Sequence, residues 1–331
     1  MKTEEAMRFG LLGEAYKGDS RFVADCRKLQ SIYRVEIGEE ISPYTDRYGN
    51  VHNYGNYICG GEMPKENCWK NFLTEYAFNY AVKRVVNKKK YETIESDRLF
   101  NNLLSSQPMA FNLFCPLIQM FEESPETATK VIKTALPIYP IHKVTEVDLE
   151  FIPKNYKELT GDKSAMDAII RFEDEAGKKG FIAIETKYSE NLGTNVAYDK
   201  DEDGNRVPRA KSIEAVRRLQ CFQPDVEEQI IIGTKGLTQI YRNFLLSEMY
   251  GVNKELQSYS IILSPVNHPS TDDEFKSLYY ELCDEYRDKL SKIDLEDFVN
   301  AIIDSCPDKY RVVFERFNDR YLNFDKLKDF Q

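Results

Sequence analysis

The chain has 331 residues, 42% of them apolar and 30% charged, with 21 Tyr and 19 Phe; that is enough to bury a substantial core and excludes a wholly disordered chain. At about 150 residues per domain, this length suits two domains or one enlarged core. The formal net charge of −10 runs against the basic balance of most nucleic-acid binders. Net charge speaks to solubility and steering, however, and says little about one cleft.

No apolar run approaches the roughly 18–20 residues that cross a bilayer. The N-terminal MKTEEAMRFG lacks the apolar stretch of a secretory signal, and seven cysteines include no CxxC pair. A soluble cytoplasmic protein with reduced thiols and no membrane partner is the expectation.

In chain order, residues 20–33 read as a helix and 44–61 (YTDRYGNVHNYGNYICGG) as a Gly/Asn/Tyr-rich loop. Leu73, Tyr76, Ala77, Tyr80, Ala81 and Val85 follow the spacing of one helical face, a packing stripe. Lys83, Arg84, Lys88, Lys89 and Lys90 form one basic group; Arg206, Arg209, Lys211, Arg217 and Arg218 form another. Each is a solvated face or a phosphate contact. A helix capped by Ser96 is expected to run through Leu99, Leu103 and Leu104 and to break near Pro108.

The middle of the chain reads as strands: Val144 to Ile152, Ala168 to Phe172 and Phe181 to Lys187 (FIAIETK), the last two a hairpin. Residues 191–209 look like an exposed polar loop. A helix from Leu237 to Tyr250 and a strand at Tyr259–Leu263 follow, and from Asp272 onward the pattern is helical, charged and peripheral. Helix, three strands, helix, strand describes an α/β protein with a mixed sheet.

FIAIETK carries the chemistry. Its apolar start suits a strand covered on both faces, and alternation puts Glu185 and Lys187 on one face. A hairpin centred near Ala176–Gly177 brings Asp167 opposite them, at about 5 Å. Two carboxylates and an ammonium thus converge where a buried sheet opens. They form either an ion pair closing the sheet edge or a metal site. In the second case Asp167 and Glu185 are hard oxygen ligands for Mg²⁺, with the Thr186 carbonyl as a third. The metal polarises a phosphoryl oxygen and acidifies water. Lys187 orients that water, stabilises transition-state charge, or, with its pKa lowered by burial, removes a proton.

This layout resembles the PD-(D/E)XK, restriction-endonuclease-like superfamily, in particular an uncharacterised bacterial branch. SSQPMAFNLFCPL (Ser105 to Leu117) resembles its helix motif, and Glu150, Phe151 and Pro153 its first-strand motif. GDKSAMDAII (Gly161 to Ile170) and GFIAIETKYSE (Gly180 to Glu190) resemble the strands with the aspartate and E-x-K. QIYRNFLLSE (Gln239 to Glu248) resembles the following helix, and Pro265 and Asn267 close the pattern, which spans roughly 97–268.

The resemblance implies Asp167 and Glu185 as metal ligands, Lys187 as the catalytic lysine, and Glu150 as an additional acid or else a surface glutamate. Gln107, Asn112, Gln239 and Arg242 match motif positions: Gln107 is expected as a further catalytic residue and Gln239 and Arg242 as nucleic-acid contacts, with Arg242 meeting a phosphate or else pairing with an internal carboxylate. Gln107 stands where glutamate is usual, and Met166 where the name-giving proline would be.

Other chemistries find no pattern. His52, His142 and His268 are scattered, and His52, Cys59 and Cys68 have no usual zinc spacing. Neither GxxxxGK[ST], GxGxxG nor G-x-S-x-G occurs.

The expectation is therefore an αβββαβ nuclease-like core over 96–270, an N-terminal helical extension over 1–95, and a C-terminal helical segment over 271–331 packed on the core. Its activity would be hydrolysis of phosphodiester bonds, in DNA, by metal-activated water with Mg²⁺ or Mn²⁺. The alternatives are a catalytically silent module that binds nucleic acid or protein, and an RNA-directed nuclease.

Overall fold

The computed structural model describes residues 10–59, 68–192 and 196–330. The start of the N-terminal segment, the end of the Tyr-rich loop and three residues of the 191–209 loop lie outside that range. Five strands form the central sheet: β1 (Lys143–Phe151), β2 (Met166–Glu173), β3 (Lys179–Thr186), β4 (Gln257–Ser264) and β5 (Leu290–Asp294). They lie side by side in chain order; β1–β2 and β2–β3 are antiparallel, β3–β4 and β4–β5 parallel.

The expected hairpin joins β2 to β3. Asp174 accepts from the N–H groups of Ala176 (2.9 Å) and Lys178 (2.8 Å), and Gly177 takes φ 76°, a left-handed turn that a glycine adopts freely. That turn sets the register, with Ala168 opposite Ile184.

Helices cover both faces, which is why β3 is buried from Gly180 to Thr186. On one face Ala168, Ile170, Ile182, Ile184, Ile261 and Leu263 share a core with α2 (Glu75–Val86), α4 (Ser106–Glu123), α5 (Pro125–Ala135), α10 (Leu295–Ser305) and α11 (Asp308–Tyr321). On the other, Ile169, Phe181, Ala183 and Ile262 pack against α6 (Ala210–Leu219), α7 (Pro224–Ile232), α8 (Gln239–Lys254) and α9 (Thr271–Glu281). Among the described residues, no helix is long and apolar enough to cross a membrane. Among the described residues, Cys26, Cys115, Cys221, Cys283 and Cys306 form no disulfide.

Two expectations need correction. The helix expected from Ser96 to Pro108 is two: α3 (Ser96–Asn101), with Glu95 at the cap position, and α4, capped by Ser105, whose Oγ accepts from Gln107 N (3.2 Å). Pro108 sits in the first turn of α4, where its missing N–H costs no helical bond. The C-terminal region is neither wholly helical nor peripheral. Leu290–Asp294 adds an edge strand, and Leu295, Phe298, Val299 and Ile302 insert α10 into the core at i, i+3, i+4, i+7.

One buried lock joins distant parts of the chain. Arg320, on α11 and 1% exposed, donates to Gln30 Oε1 (3.1 Å) on α1 (Arg21–Glu36), to Asn71 O (2.7 Å) and to Asn71 Oδ1 (2.6 Å). Gln30 in turn donates to Tyr188 Oη at 3.0 Å. Arg320→Met, which roughly keeps the volume but leaves these acceptors unsatisfied, should lower stability by about 3 kcal/mol in chemical denaturation. An unchanged midpoint would show that the lock is not needed.

Candidate active site

The carboxylates gather where β1, β2 and β3 end together. Leu149 pairs with Ala168 and Phe151 with Met166, so Glu150 lies opposite Asp167; the β2–β3 register brings Asp167 level with Glu185. Glu150 has φ 52°, an uncommon conformation for a residue with a Cβ. Arg84 of α2 fixes it there, donating to the Glu150 carbonyl and to Asp148 Oδ1, each at 3.1 Å.

Each side chain is held. Asp167 Oδ2 accepts from the Thr186 N–H (2.7 Å) and Thr186 Oγ1 (2.8 Å). Glu185 Oε1 accepts from Lys187 Nζ (2.6 Å) and Gln239 Nε2 (2.7 Å), and Oε2 from Asn243 Nδ2 (2.6 Å). Gln239 and Asn243 stand one turn apart on α8, so both reach the same carboxylate. From the opposite face of the sheet, Gln107 in the first turn of α4 donates to Glu150 Oε1 (2.8 Å).

A fourth acid, Glu190, lies beyond the strand end. Its Oε1 accepts from Ser106 N (2.8 Å), Ser106 Oγ (2.9 Å) and Arg98 (3.1 Å), at the positive end of α4. Glu150, Glu185 and Lys187 are buried, while Asp167 keeps partial contact with solvent.

The electrostatics follow from crowding. Burial, then repulsion from Asp167, pushes the Glu150 carboxyl up to about 8 and Glu185 up to about 7. Burial also raises Asp167, against the pull of Lys187. Glu190 is held low because Lys187, Arg98 and the Ser106 donors outweigh its burial. The possibility that burial lowers Lys187 is reversed: Glu185 and Asp167 outweigh desolvation, and its pKa lies above the usual lysine value.

The row therefore holds more buried carboxyls than its one lysine can keep ionised, and Asp167 Oδ1 and Glu150 Oε2 accept no hydrogen bond among the described residues. This donor set fits a hard divalent cation. Among the described residues, no three His, Cys, Asp or Glu side chains close around one point, so the fit is to an ion that keeps several waters. Asp167 and Glu185 would hold it, with the Thr186 carbonyl.

Of the residues singled out from sequence, Asp167, Glu185, Thr186, Lys187, Glu150, Gln107 and Gln239 come together. Arg242 lies apart: its Nε is 2.8 Å from Asp162 Oδ2, an oxygen that Arg209 also reaches at 3.0 Å. Asn112 is in the core, accepting from Leu73 N (2.7 Å) and donating to Asn71 O (2.9 Å). Sequence reading gave no role to Asn243, Glu190 or Ser106. Asn243 was detectable as the i+4 neighbour of Gln239; Glu190 follows the strand, where alternation no longer applies.

A family model described as the PD-(D/E)XK nuclease superfamily matches residues 17–323. No curated protein matches the chain, and no solved structure does.

Proposed function

This chain belongs to the PD-(D/E)XK nuclease superfamily, and from that premise we propose that it hydrolyses phosphodiester bonds in DNA, using Mg²⁺ or in its place Mn²⁺. The observation that carries the reading is the row Glu150–Asp167–Glu185 across three adjacent strands, with Lys187 Nζ 2.6 Å from Glu185. When bound, the cation supplies polarisation of a phosphoryl oxygen and a more acidic water.

The chain does the rest. Asp167 and Glu185 bind the ion, and Gln239 and Asn243 fix the Glu185 carboxylate. Lys187, kept as an ammonium, stabilises charge that develops on the phosphoryl group as water attacks, with no covalent intermediate. Gln107 is a positioning residue, acting through Glu150. Exposed Lys83, Lys89 and Lys90 at the end of α2 lie close along the chain to Arg84, which grips Glu150, and offer phosphate contacts beside the row.

Incubating the protein with supercoiled plasmid, linear duplex, single-stranded DNA and RNA, in Mg²⁺ or Mn²⁺ and in EDTA, tests the reading. DNA cleavage that EDTA abolishes is expected; cleavage of RNA alone would move the substrate class. The net charge of −10 favours a second reading, a silent binding module. No cleavage, with duplex binding that weakens with salt at about −0.9 per phosphate contacted on a log–log plot, would support that one.

A further inference from the structure

We propose that a second cleft, beside the row, is a pocket for an unstacked nucleobase, so that the substrate is single-stranded or locally unpaired nucleic acid; this rests on the nuclease reading above. The cleft has a volume of about 550 Å³ and is walled by Tyr16, Tyr44, Tyr48, Tyr54, Tyr57 and Arg27. It is built largely from the Tyr-rich segment between Tyr44 and Tyr57, which the site does not use.

Its rings are pre-set. Tyr44 stacks on Tyr57 with centroids 4.7 Å apart, and His52 on Tyr54 at 4.9 Å. Arg27 sits 5.1 Å from the Tyr54 ring centroid and 5.7 Å from that of Tyr16, held by Asp19 (2.6 Å) and Asn56 (2.6 Å). At the lip, two short strands, Tyr44–Thr45 and Val51–His52, flank a tight turn. There Asp46 accepts from the N–H groups of Tyr48 (2.8 Å) and Asn50 (2.9 Å). That turn presents Tyr48 74% exposed, with the Arg47 guanidinium 4.8 Å from its ring centroid.

Aromatic faces and guanidinium planes are the surfaces on which bases stack, whatever their sequence, and rings already fixed lose little entropy on binding. The pocket's wall is also joined to the row along the chain. Asn102 and Leu104 form part of its wall. The Leu104 carbonyl accepts from Ser189 Oγ at 3.3 Å, and the next residues of both segments meet where Ser106 holds Glu190. Gln107, three residues after Leu104, donates to Glu150 Oε1 at 2.8 Å, so one short segment serves both the pocket wall and the row.

The test is fluorescence anisotropy in EDTA with a labelled oligothymidylate and with a duplex of the same length, run beside the cleavage assay. Tyr48→Ala and Tyr16→Ala remove rings that are 74% and 51% exposed, so the fold is spared. Each should weaken single-strand binding about tenfold and leave duplex binding unchanged. Tyr48→Phe should bind like the parent protein, because stacking needs the ring and not the hydroxyl. Unchanged single-strand affinity in both alanine variants, an equal loss on duplex, or no single-strand binding by the parent would overturn the pocket. Ring-dependent binding without cleavage would uphold the pocket and sink only the nuclease reading; cleavage with ring-independent binding would do the reverse.

Discussion

Replacing Lys187 with alanine, or Asp167 with asparagine, is expected to slow DNA cleavage by at least about a thousandfold while the protein still folds. The two changes act differently. Lys187→Ala removes the ammonium 2.6 Å from Glu185 but leaves that carboxylate gripped by Gln239 and Asn243. Asp167→Asn keeps an oxygen to accept from Thr186 and discards only the charge. Plasmid nicking rates alongside circular dichroism melts would read both. Full activity in either folded variant would sink the site assignment.

Without divalent cation, stability is expected to fall as the pH rises from about 4.5 to about 8. Glu150, at about 8, and Glu185, at about 7, both start from an ordinary value of 4.5, so each holds its proton more tightly folded than unfolded. Their contribution is fully present below about 4.5 and is lost as the pH climbs through the folded values. Burial is the larger cause at both carboxyls, so the loss develops as each is forced to ionise inside the fold.

Glu248 and Glu296 are pushed the same way by burial, and His268, held down to about 4, works oppositely at lower pH. The difference between the parent protein and Glu150→Gln therefore isolates the row: the variant should melt higher at pH 8 and about equally at pH 5. Mg²⁺ at a hundredfold over its dissociation constant should return about 2.7 kcal/mol to the parent protein at pH 8. Calorimetry with no pH-dependent gap between the two proteins would refute the account.

The middle of this site could be read before any coordinates because strand periodicity and a hairpin are local rules. FIAIETK declared a strand covered on both sides, and the turn around Gly177 was enough to bring Asp167 to Glu185. The same rules were blind where geometry is not periodic. Glu150 reaches the row through a left-handed backbone kink held by an arginine 66 residues earlier, which no pattern in LEFIP reveals. Pro108 looked like a helix breaker, and only the Ser105 cap makes it a helix starter. LSKID carries no strand signature, because a short edge strand has too few buried positions to show its alternation. The tyrosines of the 44–61 segment read as loop composition, since ring stacking depends on a fold that brings Tyr44 and Tyr57 together.

The Arg320–Gln30 contact also has a meaning in time. These partners are 290 residues apart, and Gln30 passes the contact on to Tyr188, which directly follows Lys187. At translation rates of about 5–20 residues per second, α1 waits on the order of 15–60 s on the ribosome for its partner helix. Tyr188 is made 132 residues before Arg320, so for about 7–26 s of that interval the segment just past the strand end, with Lys187, lacks this buttress.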